Sequence, residues 1–306
     1  MDPLRASLTA LGTSLMRAVH TRYDRPLIAA DPYGDKLVAQ MERDLMRERA
    51  IQMLTSEQQA RVRAIGDPDA ALTQALRLNP AYASVVVRMR FTEDCVQAAA
   101  ATGVSQYVIV GAGMDTFAWR HPELAETLRV FELDHPATQG LKRDRLTAAG
   151  MTPPANLRFV SADLESENLA DVLGANGYNR HAPAFFSMLG TTPFLTEAAN
   201  LATFAGIAEC TAPGSELVLD YIEPAALSPE HGAAETTRIA VEQAKTSEPW
   251  VCGFEPQRLA AELSAIGLTL VEDLDPEALQ QRYCSGRSDA LHVAPHAHLA
   301  RARRVD

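Results

Sequence analysis

The chain has 306 residues, 47% apolar and 22% charged, a balance that supplies a buried core and excludes a disordered chain. Its formal charge of −11, from 28 basic and 39 acidic side chains, repels polyanions, which sets nucleic acid aside as a partner and favours a small or neutral ligand. Cys95, Cys210, Cys252 and Cys284 show no CxxC spacing, so neither a metal site nor a disulfide framework is expected, and an opening run, MDPLRASLTA, with no signal character and no apolar stretch of about 18 residues makes a cytoplasmic protein the expectation.

Residues 1–85 read as a helical cap. Asp31-Pro32 stops and restarts the chain, and Leu37, Val38, Met41, Leu45 and Met46 recur at helical spacing, which predicts one apolar face lying on a larger body. Gly66-Asp67-Pro68 and Asn79-Pro80 are the clearest breaks. From residue 86 to 306 the texture changes to short apolar runs separated by helical segments, the pattern of a doubly wound α/β core. Seven strands are predicted, at 107–110, 129–133, 157–160, 184–189, 216–221, 268–273 and 290–294. The stretch 223–251, bracketed by Pro224, Pro229 and Pro249, interrupts the alternation and reads either as a lid or as an inert connection. Arg301, Arg303 and Arg304 are expected to close a solvated helix.

The chemistry concentrates in three motifs. In YVIVGAGMDTFAWR a strand runs into Gly111-Ala112-Gly113, where missing β-carbons allow a sharp turn and close approach to a ligand. A dinucleotide fingerprint would place a third glycine where Thr116 stands, and Asp115 would repel a pyrophosphate but suits a cationic ligand. In VFELDHP a strand ends on Asp134, about 20 residues past the turn, where a carboxylate accepts from both ribose hydroxyls. Glu132 alternates with Asp134 and is expected to face the same side and support the turn. In FVSADLES, Asp163 follows a strand and is placed to accept from an adenine amino group, with Leu164 supplying backbone and apolar contact; alone, such an aspartate is a helix cap.

In this order, GAGMDTFAWR, FELDHP and SADL resemble the leucine carboxyl methyltransferase-like family, including its bacterial branch linked to natural-product O-methylation. LIAADPYGDKLV, VVRMRFTED, FFSMLGTTPFLT, EPWVCGFEPQRLAAEL and LQQRYCSGR extend the resemblance over most of the chain from about Asp24. The resemblance implies a Rossmann-like class I methyltransferase with a seven-stranded, mostly parallel sheet and an N-terminal helical cap, using S-adenosylmethionine as its cofactor. It also implies that Arg88, or Arg90 in its place, clamps the methionine carboxylate, a planar bidentate match. Gly111, Ala112, Gly113, Asp115, Asp134, Asp163, Leu164 and Leu189 complete the expected cofactor contacts. One departure stands out: family members often carry a Glu-Gly pair after the fourth strand, where this chain has Leu189-Gly190.

Methyl transfer from a sulfonium is an in-line displacement that asks mainly for alignment. A carboxylate acceptor is already ionised near neutral pH, whereas a phenol benefits from a base. Tyr221 at a strand end and His135 beside Asp134 are the candidate catalytic side chains, and Tyr283 and Arg287 the candidate substrate contacts, Arg287 as an attractor of an acidic small-molecule acceptor. No membrane partner is expected, and self-association stays open. A nicotinamide oxidoreductase and a non-catalytic adenosyl-binding protein are the competing readings.

Overall fold

The computed structural model describes residues 6–228 and 230–304; the first five residues of the opening run and Pro229, one of the three bracketing prolines, lie outside them. Five helices come first: α1 (Leu8–Tyr23), α2 (Gln40–Gln52), α3 (Ser56–Arg63), α4 (Pro68–Arg77) and α5 (Tyr82–Ala101). The expected breaks have local causes. The Asp67 side chain accepts from the Ala70 N–H at 2.7 Å with Pro68 in the first turn of α4, and Asn79 Oδ1 accepts from the Ala81 N–H at 2.9 Å just before α5.

The alternating core follows: β1 (Gln106–Val110), α6 (Phe117–Arg120), β2 (Arg129–Asp134), α7 (Pro136–Ala148), β3 (Leu157–Ser161), α8 (Leu169–Ala175), β4 (Ala184–Met188), α9 (Glu197–Cys210), β5 (Glu216–Ile222), α10 (Ala234–Ala244), α11 (Pro256–Ala265), β6 (Leu268–Leu274), α12 (Pro276–Leu279) and β7 (Ala297–Arg304). The sheet order is β3-β2-β1-β4-β5-β7-β6, with β7 antiparallel to both neighbours and the other pairings parallel. The chain leaves β1 in one direction and β4 in the other, so a crevice opens at their carboxyl ends, beside Gly111 and Gly190.

Strand alternation divides the apolar interior into two cores. Tyr107, Ile109, Val130, Phe185 and Val218 face α5 and the other early helices, whereas Val110, Leu133, Met188, Leu219 and Tyr221 face α8, α9 and α11. Residue 85, where the cap was expected to end, lies inside α5, which packs against the sheet throughout.

Three expectations are corrected. The seventh strand is not at 290–294: Ala290 and His296 take positive φ of 54° and 63°, and the strand forms beyond them. Arg301, Arg303 and Arg304 belong to that strand, not to a helix. Ala300 and Ala302 are buried, alternating with Arg301 and Arg303, and Arg303 pairs with Glu216 at 2.6 Å, so the alternation of small and basic residues is the period-two pattern of a strand. The apolar face expected on α2 divides as well: Leu37 and Val38 precede the helix, Met46 is buried, and Met41 is 79% exposed. Met41 and Met46 are five residues apart, about 140° around a helix, so the two cannot share one face.

The antiparallel corner is pinned by a polar cluster. The Tyr221 hydroxyl donates to Asp273 Oδ2 at 2.7 Å, its ring stacks on His298 with centroids 4.8 Å apart, and His298 lies 3.3 Å from Asp273 and 3.4 Å from Glu223. Burial lowers the His298 imidazole, but its hydrogen bond to Asp273 and the two carboxylate charges carry it above its ordinary 6.5. A raised histidine stabilises the fold below its unfolded value, and that contribution disappears as pH rises through the folded value. His298→Gln is therefore expected to cost about 2 kcal/mol at pH 6 and much less at pH 9, measured by urea unfolding at both; an equal cost at the two pH values would refute the charged assignment.

Candidate functional site

The glycine turn after β1 is built as its sequence demands. Gly111 and Gly113 have φ of 72° and 51°, and the Gly111 and Ala112 N–H groups both donate to the Leu133 carbonyl, at 2.8 and 3.0 Å. A Cβ on Gly111 would lie 2.1 Å from Thr191 Oγ1, so the loop after β4 closes directly on the turn. Asp134, at the end of β2, accepts from the Gly113 N–H at 2.5 Å and from the His135 N–H at 2.7 Å. Burial pushes its carboxyl above the usual range against those two backbone donors. Each oxygen keeps a lone pair for a further donor.

Three cavities meet here. One of about 90 Å³ runs along the turn, lined by Arg88, Thr92, Ala112, Gly113, Asp115 and Leu189. A second of about 240 Å³ lies outside it, lined by Asp134, His135, Asp163, Leu164, Thr191 and Phe194. A third of about 160 Å³ is roofed by Thr236, Ile239, Gln243 and Trp250 and floored by Met16 and Met46. Gly111 borders the first two, and Gly190 borders all three.

Gly190, with φ of 65°, sits where a Cβ would come within 2.6 Å of the Arg88 guanidinium. Arg88 reaches it from α5, donating to Asp220 Oδ2 at 2.7 Å, and Asp220 Oδ1 accepts from the Gly190 N–H at 2.5 Å. Arg90 turns away, pairing with Asp94 at 2.9 Å, so Arg88 is the guanidinium at the crevice. Thr92, one turn along α5, presents a buried hydroxyl with no partner among the described residues. Asp115 accepts from the Phe117 N–H at 2.6 Å with one oxygen. Asp163 Oδ1 accepts from the Glu165 N–H at 3.0 Å, and its second oxygen makes no such turn contact.

The remaining candidates either turn their polar groups to other partners or lie outside the cavities. The Tyr221 hydroxyl is spent on Asp273 and His298, on the far face of the sheet from Arg88. His135 Nδ1 accepts from the Ala137 N–H at 3.2 Å, so its ring caps α7 on the outer cavity. Tyr283 stacks against Arg282, and Arg287 pairs with Asp289 at 2.5 Å; neither borders any of the three cavities. Glu132 does face the same side as Asp134, yet it serves Lys142 in a buried ion pair rather than the turn, and burial pushes its carboxyl up to about 7 against the lysine's pull.

Sequence reasoning missed Asp220 and Thr92, and it left the 223–251 stretch, which supplies the roof, between a lid and an inert connection. Asp220 and Tyr221 are adjacent on β5 and so face opposite sides; the choice between them needs the packing of Val218 against the α5 side. Thr92 was within reach, because it lies four residues after Arg88 on one helix face. The roof is anchored by Glu248, whose Oε2 accepts from the Leu8 and Thr9 N–H groups at 3.0 Å each, at the start of α1.

These residues fit S-adenosylmethionine. An unpartnered hydroxyl beside a guanidinium awaits a carboxylate, two glycines without Cβ atoms leave the cradle open, and the Asp134 oxygens keep room for ribose hydroxyls. Among the described residues no group of three or more metal-ligating side chains occurs, and no helix is long and apolar enough to cross a membrane.

Comparison with known proteins agrees with that fit. The family model for leucine carboxyl methyltransferase matches residues 10–208. YktD of Bacillus subtilis (strain 168), provisionally named an S-adenosyl-L-methionine-dependent methyltransferase, is 32% identical over 300 residues, 97% of this chain and 97% of its own. A DUF574 family protein from Streptomyces avermitilis MA-4680 superposes with a TM-score of 0.59 at 17% identity over 99% of each chain. A structure named as a methyltransferase from Thermobifida fusca YX gives 0.55 at 14% identity over 86% of this chain and 95% of that one. The two structural likenesses show a shared Rossmann-like fold.

Replacing Asp134 with alanine is expected to weaken S-adenosylhomocysteine binding by about 1–3 kcal/mol through lost ribose hydrogen bonds. Titration calorimetry reads this directly, and an unaltered affinity removes Asp134 from the ribose role.

Proposed function

The chain belongs to the leucine carboxyl methyltransferase family and is an S-adenosylmethionine-dependent methyltransferase, and on that premise we propose that it methylates a carboxylate oxygen of a small, largely apolar acid held in the roofed cavity. The observation that carries this reading is the junction at Gly190, where the two cavities fitted to the donor open on a third that holds no free base.

The charged side chains on the roofed cavity are Arg49, Arg88 and Asp220. Asp220 is already bound at both oxygens, by Arg88 and by the Gly190 N–H. Tyr221 borders this cavity as well, but its hydroxyl is engaged on the opposite face. An acceptor there must arrive already nucleophilic. A carboxylate does so near neutral pH, whereas a phenol or alcohol needs a proton acceptor that this wall does not offer.

In this reading Arg88 and Thr92 hold the donor's methionine carboxylate, Asp115 faces its ammonium, Asp134 binds the ribose and Asp163 with Leu164 the adenine. The donor supplies a methyl group on a positively charged sulfur. Gly190 keeps the passage between donor and acceptor clear, since any side chain there would strike Arg88. Gln243, Ile239 and Trp250 close the acceptor side against water, the lid role for the 223–251 insertion. Holding both partners aligned in this way supplies up to about 7–11 kcal/mol of the barrier. A cavity roofed by helices suits a discrete compound, and an acceptor drawn from secondary metabolism is part of this reading.

With S-adenosylmethionine and a panel of aryl and alkyl carboxylic acids and phenols, the expected products are methyl esters and S-adenosylhomocysteine, with a rate nearly flat from pH 6 to 8. Transfer to phenols alone, with a rate rising about tenfold per pH unit, would sink the carboxylate reading. No affinity for S-adenosylhomocysteine would sink the donor site itself.

A further inference from the structure

We infer that Arg49 is a specificity residue of the roofed cavity and that the acceptor carries a second anionic group, remote from the carboxylate that is methylated. The inference rests on the acceptor site proposed above and deepens it.

Arg49 stands apart from its neighbours on α2. Arg43 lies 3.9 Å from Asp35 and donates to its backbone carbonyl, and Arg47 pairs with Asp44 at 2.9 Å. Arg49 has no carboxylate within ion-pair distance among the described residues; its contact is the neutral Gln243 Oε1, at 3.4 Å. It is half-buried on a wall shared with Met46, Ala50 and Met53. A guanidinium carries five N–H donors, and one long bond to an amide leaves most of them without a protein partner among the described residues, open to water or to a ligand. Gln243 cannot turn to serve it better, because its Nε2 donates to Thr9 Oγ1 at 3.1 Å.

The rest of the cavity has the same polarity. The Trp250 indole N–H is shielded from solvent and has no partner among the described residues. The candidate acceptors are engaged: Asp220 by Arg88 and Gly190, Ser84 Oγ by the Ala294 N–H at 2.9 Å, and Asn79 Oδ1 by the Ala81 N–H at 2.9 Å. A guanidinium without a carboxylate and an indole N–H without a partner, beside acceptors that each already hold a protein donor, describe a site for an oxygen-rich anion.

The position of Arg49 separates it from the reacting end. Thr9, Thr13, Val85, Arg88 and Gly190 border both the roofed cavity and the turn cavity, marking where methyl transfer occurs. Arg49 and Met53 border the roofed cavity alone. The role first expected of Arg287, which is closed off by Asp289, falls to Arg49.

The test uses the full chain saturated with S-adenosylhomocysteine and compares octanoate with octanedioate by calorimetry, in the wild type and in Arg49→Met. The expected result is about tenfold tighter binding of the diacid by the wild type, a preference that falls to near equality in Arg49→Met while octanoate affinity changes less than about twofold. Unchanged S-adenosylhomocysteine affinity in the variant shows that it is folded. A wild type that binds neither acid, or shows no preference for the diacid, overturns the inference, as does a preference that survives in Arg49→Met. Failure of the wild type to bind S-adenosylhomocysteine tells instead against the donor site on which the inference rests.

Discussion

The carboxylate of Asp220 organises the crevice. A half-buried charge is tolerated only when its hydrogen-bonding capacity is met, and here one oxygen takes the Arg88 guanidinium from α5 while the other takes the Gly190 N–H from the loop after β4. Two elements distant in sequence, α5 and the loop after β4, are thereby fixed to one side chain on β5. The left-handed backbone at Gly190 and the absence of a side chain there follow from this arrangement, since the guanidinium occupies the space a Cβ would need. The loop that carries Leu189 where family members often have a glutamate is thus bound to a carboxylate from β5.

The order of elements and six of the seven strands were legible in the sequence, because parallel strands buried on both faces read as apolar runs interrupted by helices. The seventh was not. Its inner face is alanine and its outer face arginine, and Ala300-Arg301-Ala302-Arg303 carries too little apolar surface to stand out from a helix end. The glycine turn and the two acids near it were legible for a different reason. A glycine turn, an acid closing the next strand and an acid after the third are positions that backbone geometry alone imposes, and Gly111, Asp134 and Asp163 do line adjoining cavities.

The roofed cavity was the least legible. Tyr221 was chosen for its place at a strand end, but which of two neighbouring residues faces the crevice depends on the face that α5 covers, a tertiary fact. Tyr283 and Arg287 were chosen for an expected place at the sheet's carboxyl edge, and each is drawn into local contacts, with Arg282 and Asp289, away from the cavities. The walls come instead from α1, α2 and α10, segments far apart in the chain whose sequences show ordinary amphipathic or alanine-rich texture. No local pattern could have united them.

Glu248 joins the roof to the first turn of α1 by accepting from two N–H groups that no intrahelical carbonyl can serve. The start of α1 and the roof of the third cavity are thus mechanically one unit. Parting them strands a buried anion and two helix-end donors at the same moment, so admission of a bulky guest and fraying of the leading helix draw on a single energetic threshold.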